Sequence, residues 1–391
     1  MLPILLVTCS IASAGPREQA KRMHDRLAGV PPTETTLQEM ETLINGGDSL
    51  GAAMLAIENP NFYNVTLKNW VTPWTNEEKT VFAPLNDYTA TVIGMVRDEV
   101  DFREVLSADI IYTGPDLSNF SNSNNTHYET LENQGANLKD VLVQRTQSSV
   151  TGLPAQATAG VITTRAAARA FFIDGTNRAM FSFTILNHLC RDLEMIKDPT
   201  RPSDRVRQDA SRSPGGDSRV WFNNCLGCHA GMEPLAEAYA YFDYDYPEGD
   251  MDGGQLNYIG PGSSAYVPGV VQPKYLINSN NFKDGYATFD DNWINYWREG
   301  SNSVLGWNTS LPNRGGGNGT GDGAKTMGIE LANSQAFAEC QVSKAFEAVC
   351  LRSPEDSTDR AQIDAMTTDF KNNGYNMKQV FAESAVYCAG P

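Results

Sequence analysis

Five consecutive residues carry the densest chemistry in this chain: Cys225-Leu226-Gly227-Cys228-His229. Two thiols separated by two residues, with an imidazole directly after, suit a redox dithiol, half of a zinc site or a haem attachment point. A thioredoxin-like dithiol needs a βαβ setting, and none can be read here. A four-ligand zinc site needs a second cysteine or histidine pair at ligand spacing. His24, His127, His188 and His229 are scattered, and the remaining cysteines are not paired that way. Haem attachment needs nothing further, because C-x-x-C-H supplies two sulfurs for the haem vinyl groups and an adjacent imidazole for the iron. The expectation is therefore one covalent haem c on Cys225 and Cys228, with His229 as proximal ligand.

The sixth ligand is a separate question. Met232 follows His229 by one helical turn and so belongs to the same side of the porphyrin. His127, in the polar stretch "GPDLSNFSNSNNTHYETLENQG", is the first distal candidate. Met327 or Met251 is the alternative, and an open iron the third possibility; His24 is also available, and His188 reads as packed. The segment before the motif is dense in arginine, with Arg201, Arg205, Arg207, Arg212 and Arg219. Guanidinium pairs with carboxylates such as haem propionates, and Arg212 and Arg219 stand nearest the motif. After the motif, Asp243, Asp245, Glu248, Asp250 and Asp252 gather oxygen donors of the kind calcium takes, without the full EF-hand pattern. No Ser-His-Asp order, glycosidase pair or metalloprotease motif is present, so any enzymatic role would run through the haem.

The elements that must position these residues read mainly as helix. "PPTETTLQEMETLINGG" predicts a helix with a Thr36/Glu39 capping box and a stop at Gly46-Gly47, and a second helix follows over residues 49–58. Helical spacing continues over 88–106 and 163–193, and again over three helices near the end, the last capped by Asn376. Between 246 and 325 glycine, asparagine, aspartate and aromatic residues dominate and helix signals fade. This stretch predicts an irregular insertion with a few short strands, whose Tyr266, Tyr275, Tyr286, Trp293, Trp297 and Trp307 serve a core, a pocket or a partner surface. "NRGGGNGTGDGAK" lacks phosphate-loop spacing and reads as linker. The expected organisation is a signal peptide over 1–14 and an N-terminal helical region over 15–160. The haem-binding region over 161–245, the insertion over 246–325 and a C-terminal helical region over 326–391 follow.

"MLPILLVTCSIASA" has an apolar core and a small-x-small end, as an export signal does, though without a basic start. Cys9 alternatively suits a lipid anchor, with Thr8 a poor fit to a lipobox. Of seven cysteines, Cys190, Cys340, Cys350 and Cys388 remain for disulfides, which an oxidising compartment permits. Cys340 and Cys350 share one predicted helix and lie about 15 Å apart, too far for a bridge. The pairing expected is Cys190–Cys340 with Cys350–Cys388. The chain carries 47 acidic against 30 basic residues, a net charge of −17, which disfavours a nucleic-acid partner and suits solubility or a basic partner. No window after the N-terminus approaches the length of a membrane span.

The segment "CLGCHAGMEPLAEAYAYFDYD" resembles the haem segment of the planctomycete-type bacterial cytochrome-like proteins, where C-x-x-C-H is followed by Met-Asp-Pro-Leu and then Phe-Asp. "RMHDRLAGVPPTETTLQEM", "DFREVLSADIIY", "ILNHLC", "FAECQVSKAFEAVC" and "DFKNNGYNMKQVFAES" are similar as well, so the resemblance spans most of the chain outside 246–325. It implies an exported, mainly helical protein with covalent haem at Cys225, Cys228 and His229, and a bridge between Cys190 and Cys340. Glu233 stands where aspartate is usual and Ala236 where glycine is usual. The family carries no settled activity. Three roles follow: an exported monohaem cytochrome passing single electrons between redox partners, a haem enzyme with an open distal site, or a self-assembling subunit with stacked haems. Periplasmic or extracellular location is expected in each case.

Overall fold

The helices begin where short polar side chains accept from the free N–H groups of the first turn. Thr33, Asp48, Asn86, Ser334, Asp356 and Asn376 each do so. The capping box expected at Thr36 is displaced: Thr33 accepts from Thr36 N–H, and the helix starts three residues earlier than its apolar spacing alone suggests.

In the computed structural model, residues 14–173, 175–206, 218–275, 286–311 and 318–390 are described. The expected export signal, apart from Ala14, and its Cys9 fall outside them, as do Arg207 and Arg212. Among the described residues the longer helices are α1 (Pro16–Ala28), α2 (Glu34–Asn45), α3 (Ser49–Ile57), α4 (Asp87–Arg97), α5 (Thr126–Asn133), α6 (Arg178–Leu189), α7 (Leu226–Ala236), α8 (Gly323–Ala332), α9 (Gln335–Cys350), α10 (Ser357–Asn372) and α11 (Met377–Cys388). The protein is mainly helical, with three small two-stranded antiparallel sheets. β1 (Ile111–Thr113) pairs with β2 (Val143–Arg145), β3 (Phe242–Asp245) with β4 (Gln255–Tyr258), and β5 (Asn292–Ile294) with β6 (Thr320–Asp322).

Two stretches that read as continuous helix are interrupted. The run over 88–106 breaks after Arg97, where Glu99 takes φ +56°, and resumes as a 3-10 turn over Phe102–Leu106. The run over 163–193 splits into a short helix, Arg165–Phe171, and α6, with Asn177 at φ +57° before the second. Left-handed residues end a helix regardless of the apolar spacing on either side, and nothing in that spacing announces them.

Helices α1–α3 pack together, and α1 and α3 pack against α11, which lies on α9; α10 covers α9, and α6 bridges α9 and α7. Helix α4 is central, buried from Asp87 to Val96. One hydrophobic core runs from Ala20 to Ala389 and takes in Met232 and Leu235 of α7 together with Trp293, Trp297 and Trp307 of the 246–325 stretch. The aromatic residues of that stretch are thus largely core, although Tyr266 stays exposed. Burial of each large side chain contributes about 1.5–3 kcal/mol. Disulfides join Cys190 to Cys340 and Cys350 to Cys388, with Cα atoms 5.3 and 5.5 Å apart. The first ties the left-handed C-cap of α6 to α9, and the second ties α9 to α11. No helix among the described residues is long and apolar enough to cross a membrane.

Candidate functional site

A π-helical turn, Trp221–Cys225, delivers the chain into α7, so Cys225 closes one element and Cys228 and His229 sit in the first turns of the next. Pro234 lies inside α7, which gives way to a 3-10 turn after Ala236. The wider π turn shifts Trp221 around the axis and brings its ring to 4.6 Å from the His229 imidazole, tilted by 60°. Trp221, Val206 and Ala230 form a small separate core, with Cys225 and Leu226 packed on it.

The other side of the imidazole is held by charge. His229 Nδ1 lies 2.6 Å from Glu233 Oε1, one helical turn on, and Glu233 is wholly buried. The same carboxylate oxygen accepts from Arg178 at the start of α6. A carboxylate beside Nδ1 keeps the proton on that nitrogen and leaves the Nε2 lone pair as the available ligand. The methylene that Glu233 has beyond an aspartate extends its reach to Nδ1. Sequence reading passed over it, although an acid four residues after a histidine on one helix was the available signal. Arg178 had no such signal, since it arrives from another helix.

Cys225 and Cys228 are both outside the two disulfides. Cys228 is buried, its thiol directed at the Leu193 carbonyl at 3.4 Å. Burial, with Glu194 adding to it, pushes that thiol above its ordinary pKa. A reactive redox dithiol instead has a thiolate stabilised by positive surroundings. No group of three or more histidine, cysteine, aspartate or glutamate side chains able to hold a metal ion occurs among the described residues.

Gly231 lets the site close against the 246–325 stretch. A Cβ there would fall 1.9 Å from Trp297 Nε1, so the fully buried indole rests directly on the α7 backbone. The residues 196–200 approach from the other end, with Asp198 N–H donating to the Gly227 carbonyl at 2.9 Å.

The residues present fit a haem c. The sulfurs and the imidazole are in the required order on one helical segment, and Nε2 is left as the ligand nitrogen. Trp221 Nε1 is buried and has no hydrogen-bond partner among the described residues, a donor that a bound carboxylate such as a propionate would satisfy.

The other expected participants are placed differently. His127 is not on a loop but buried in the first turn of α5, where Nε2 accepts from Gly114 N–H at 2.9 Å and Nδ1 meets Asn119 Oδ1 at 2.8 Å. Phe120 and Tyr128 pack edge-on against it, and burial lowers its pKa. Both nitrogens are therefore spent, and distal ligation would cost two buried hydrogen bonds. His24 is likewise buried, with Nδ1 2.8 Å from the Val30 carbonyl and Nε2 3.5 Å from Asn59. His188 is a core ring between Trp74 and Phe337, bonded to Tyr88 Oη at 2.8 Å. Met327 is fully buried in α8, and Met251 is exposed in a 3-10 turn.

Arg219 is exposed, in the short helix Ser218–Val220. Arg201 and Arg205 are committed to protein carboxylates: Arg201 pairs with Asp198 at 3.2 Å and Arg205 with the buried Glu237 at 2.7 Å. The acidic run expected for calcium is dispersed. Asp243 pairs with Lys274 and Asp252 with Arg169, Asp245 accepts from Asn257, and Asp250 caps a turn through Gly253 N–H.

No protein-family model matches this chain, and no curated protein and no solved structure matches it either.

Proposed function

We propose that the chain is an exported monohaem c-type cytochrome of the planctomycete-type kind, holding its haem at Cys225, Cys228 and His229. The observation that carries this reading is the buried Glu233 held between His229 Nδ1 and Arg178, in a C-x-x-C-H segment. When bound, the haem supplies one-electron chemistry between ferric and ferrous iron. Cys225 and Cys228 fix the group to the chain, and His229 presents Nε2 to it. Glu233 holds the proton at Nδ1, and Arg178 lies against the same buried carboxylate. Trp221 covers one side of the imidazole. Two disulfides and the covalent haem both belong to a compartment outside the cytoplasm. The net charge of −17 suits electrostatic docking of a basic redox partner.

With both ring nitrogens of His24 and His127 committed, a second histidine ligand is disfavoured, and the sixth position goes to methionine or stays open. The test is expression with a c-type haem maturation system, followed by intact mass and the reduced absorption spectrum with and without carbon monoxide. The expected protein is one haem heavier than its chain, and the haem resists acid-organic extraction. A Cys225→Ser, Cys228→Ser double variant should lose it. Wild-type chain recovered only at apoprotein mass would refute the reading. Bands that stay put under carbon monoxide favour electron transfer; bands that shift favour a haem enzyme.

A further inference from the structure

A cleft of about 380 Å³ lies between the 120–125 loop, the 151–154 turn and β4 with the 262–264 loop. It is walled by residues far apart in sequence and falls in the lower part of the ~300–1,000 Å³ range of small-molecule sites. Unlike most such sites, its wall is rich in amide and hydroxyl groups, with aromatic side chains set among them.

The wall contains three charged residues, and the protein has already satisfied each. Asp87 is buried; its carboxylate accepts from Arg165 N–H at 2.6 Å and from Tyr88 and Ala166 N–H at 3.0 Å. The Arg165 guanidinium donates to the Gly254 carbonyl at 2.9 Å, to Tyr244 Oη at 3.2 Å and to the Asp252 carbonyl. Asp245 accepts from Asn257 Nδ2 at 2.7 Å. Both signs of charge thus stand in one wall, so a charged ligand of either sign meets a like charge as well as an opposite one.

The neutral amides are arranged the opposite way. Each uses one end on the protein, which fixes its orientation, and the other end makes no hydrogen bond among the described residues. Asn122 Nδ2 donates to the Thr151 carbonyl at 2.7 Å, leaving Oδ1. Asn257 spends Nδ2 on Asp245 and leaves Oδ1, whereas Asn124 spends Oδ1 on Thr126 N–H at 3.1 Å and leaves Nδ2. Acceptors and a donor are thus both offered, beside the partly exposed rings of Phe120 and Tyr258. Hydroxyl groups both donate and accept, and a ring bearing them also has a C–H face that packs on aromatics.

We propose that this cleft binds a neutral polyhydroxylated ligand, of the size of one or two sugar rings. The assignment is independent of the haem reading. It is tested on the full-length mature protein by titration calorimetry and saturation-transfer NMR. The probes are glucose, galactose, N-acetylglucosamine, maltose and cellobiose, with glucuronate as the charged counterpart. At least one neutral probe should saturate with a Kd of about 1 mM or tighter, and Tyr258→Ala should weaken it about tenfold. Asn124→Ala, at an exposed position, should weaken the same probe severalfold. The proposal is overturned if no neutral probe saturates by about 10 mM. Binding unchanged in both cleft variants, or glucuronate binding more tightly than every neutral probe, would overturn it equally.

Discussion

Replacing Glu233 by glutamine tests the centre of the argument. The carboxylate is wholly buried and shared between His229, at 2.6 Å, and Arg178, whose side chain is 27% exposed. Glutamine keeps the shape and removes the charge. A hydrogen bond to a charged group contributes about 1.5–3 kcal/mol, and breaking a buried pair costs about 3–5 kcal/mol. Because Arg178 reaches water, the upper end of these figures does not apply, and a loss of about 2–4 kcal/mol is expected. Over 391 residues, at roughly 2.1 cal/mol/K per residue, that lowers Tm by about 2–5 °C. A second effect separates orientation from mere packing. A carboxylate at Nδ1 makes the imidazole a stronger donor and favours ferric iron, so Glu233→Gln should raise the haem midpoint potential. If about 1.4 kcal/mol of the interaction distinguishes the two iron states, the rise is about 60 mV, read by redox titration of the α band. Glu233→Asp keeps the charge with one methylene fewer and should fall between. A folded, haem-loaded Glu233→Gln protein with an unchanged potential would refute the reasoning, whatever happened to its Tm.

Four further outcomes are expected. His127→Ala should leave the haem spectrum unaltered while costing about 2–3 kcal/mol in a denaturant titration, because its role is two buried hydrogen bonds; a changed spectrum would restore it as a ligand. Gly231→Ala forces a methyl against Trp297 and should cost about 1–3 kcal/mol and lower haem loading, both measurable on one preparation. Removing Cys190–Cys340, which spans 150 residues, should destabilise by up to about 5 kcal/mol, against about 4 kcal/mol for Cys350–Cys388, which spans 38. Asp291 is pushed by burial from its ordinary value near 3.8 up to about 7, with Asp322 and Asp290 contributing. The folded carboxyl keeps a proton that the unfolded one has lost, so stability falls as pH rises from about 4 to 7. Asp291→Asn should flatten that slope and gain about 2–4 kcal/mol at pH 8 relative to wild type.

Much of the helical frame was legible because it depends on spacing within one element. Phe337, Cys340 and Val349 on a continuous helix, the stop near Gly374 and the Asn376 cap needed only local rules. The exclusion of a Cys340–Cys350 bridge needed only the helical rise. What was not legible depended on how the chain folds onto itself, both over a few turns and between distant segments. His127 sits in a polar sequence, yet Gly114, Asn119, Phe120 and Tyr128 enclose it. The acidic run after the motif looked like a ligand set until Lys274 and Arg169 arrived from elsewhere in the chain. Within the candidate site, the thiols and imidazole were plain from their order, but Trp221 depended on a π turn that no residue pattern announced. Arg178 depended on α6 docking beside α7.

The positions of the two disulfides also bear on how such a chain would be assembled. Six cysteines follow Cys9; four form the two disulfides, and on the proposed reading Cys225 and Cys228 would have to remain thiols until they met the haem vinyl groups. The Leu193 carbonyl that Cys228 touches is only three residues from Cys190, so an early wrong pairing lies close at hand. The left-handed turn at Cys190 points that thiol toward α9 and away from α7. Docking of α6 on α9 with the bridge closed keeps that sulfur from pairing with the motif. On the proposed haem reading, a chain whose Cys190 bridge stays open offers a third thiol close to the two that would take the cofactor, so the end of one helix bears on the fidelity of attachment as well as on stability.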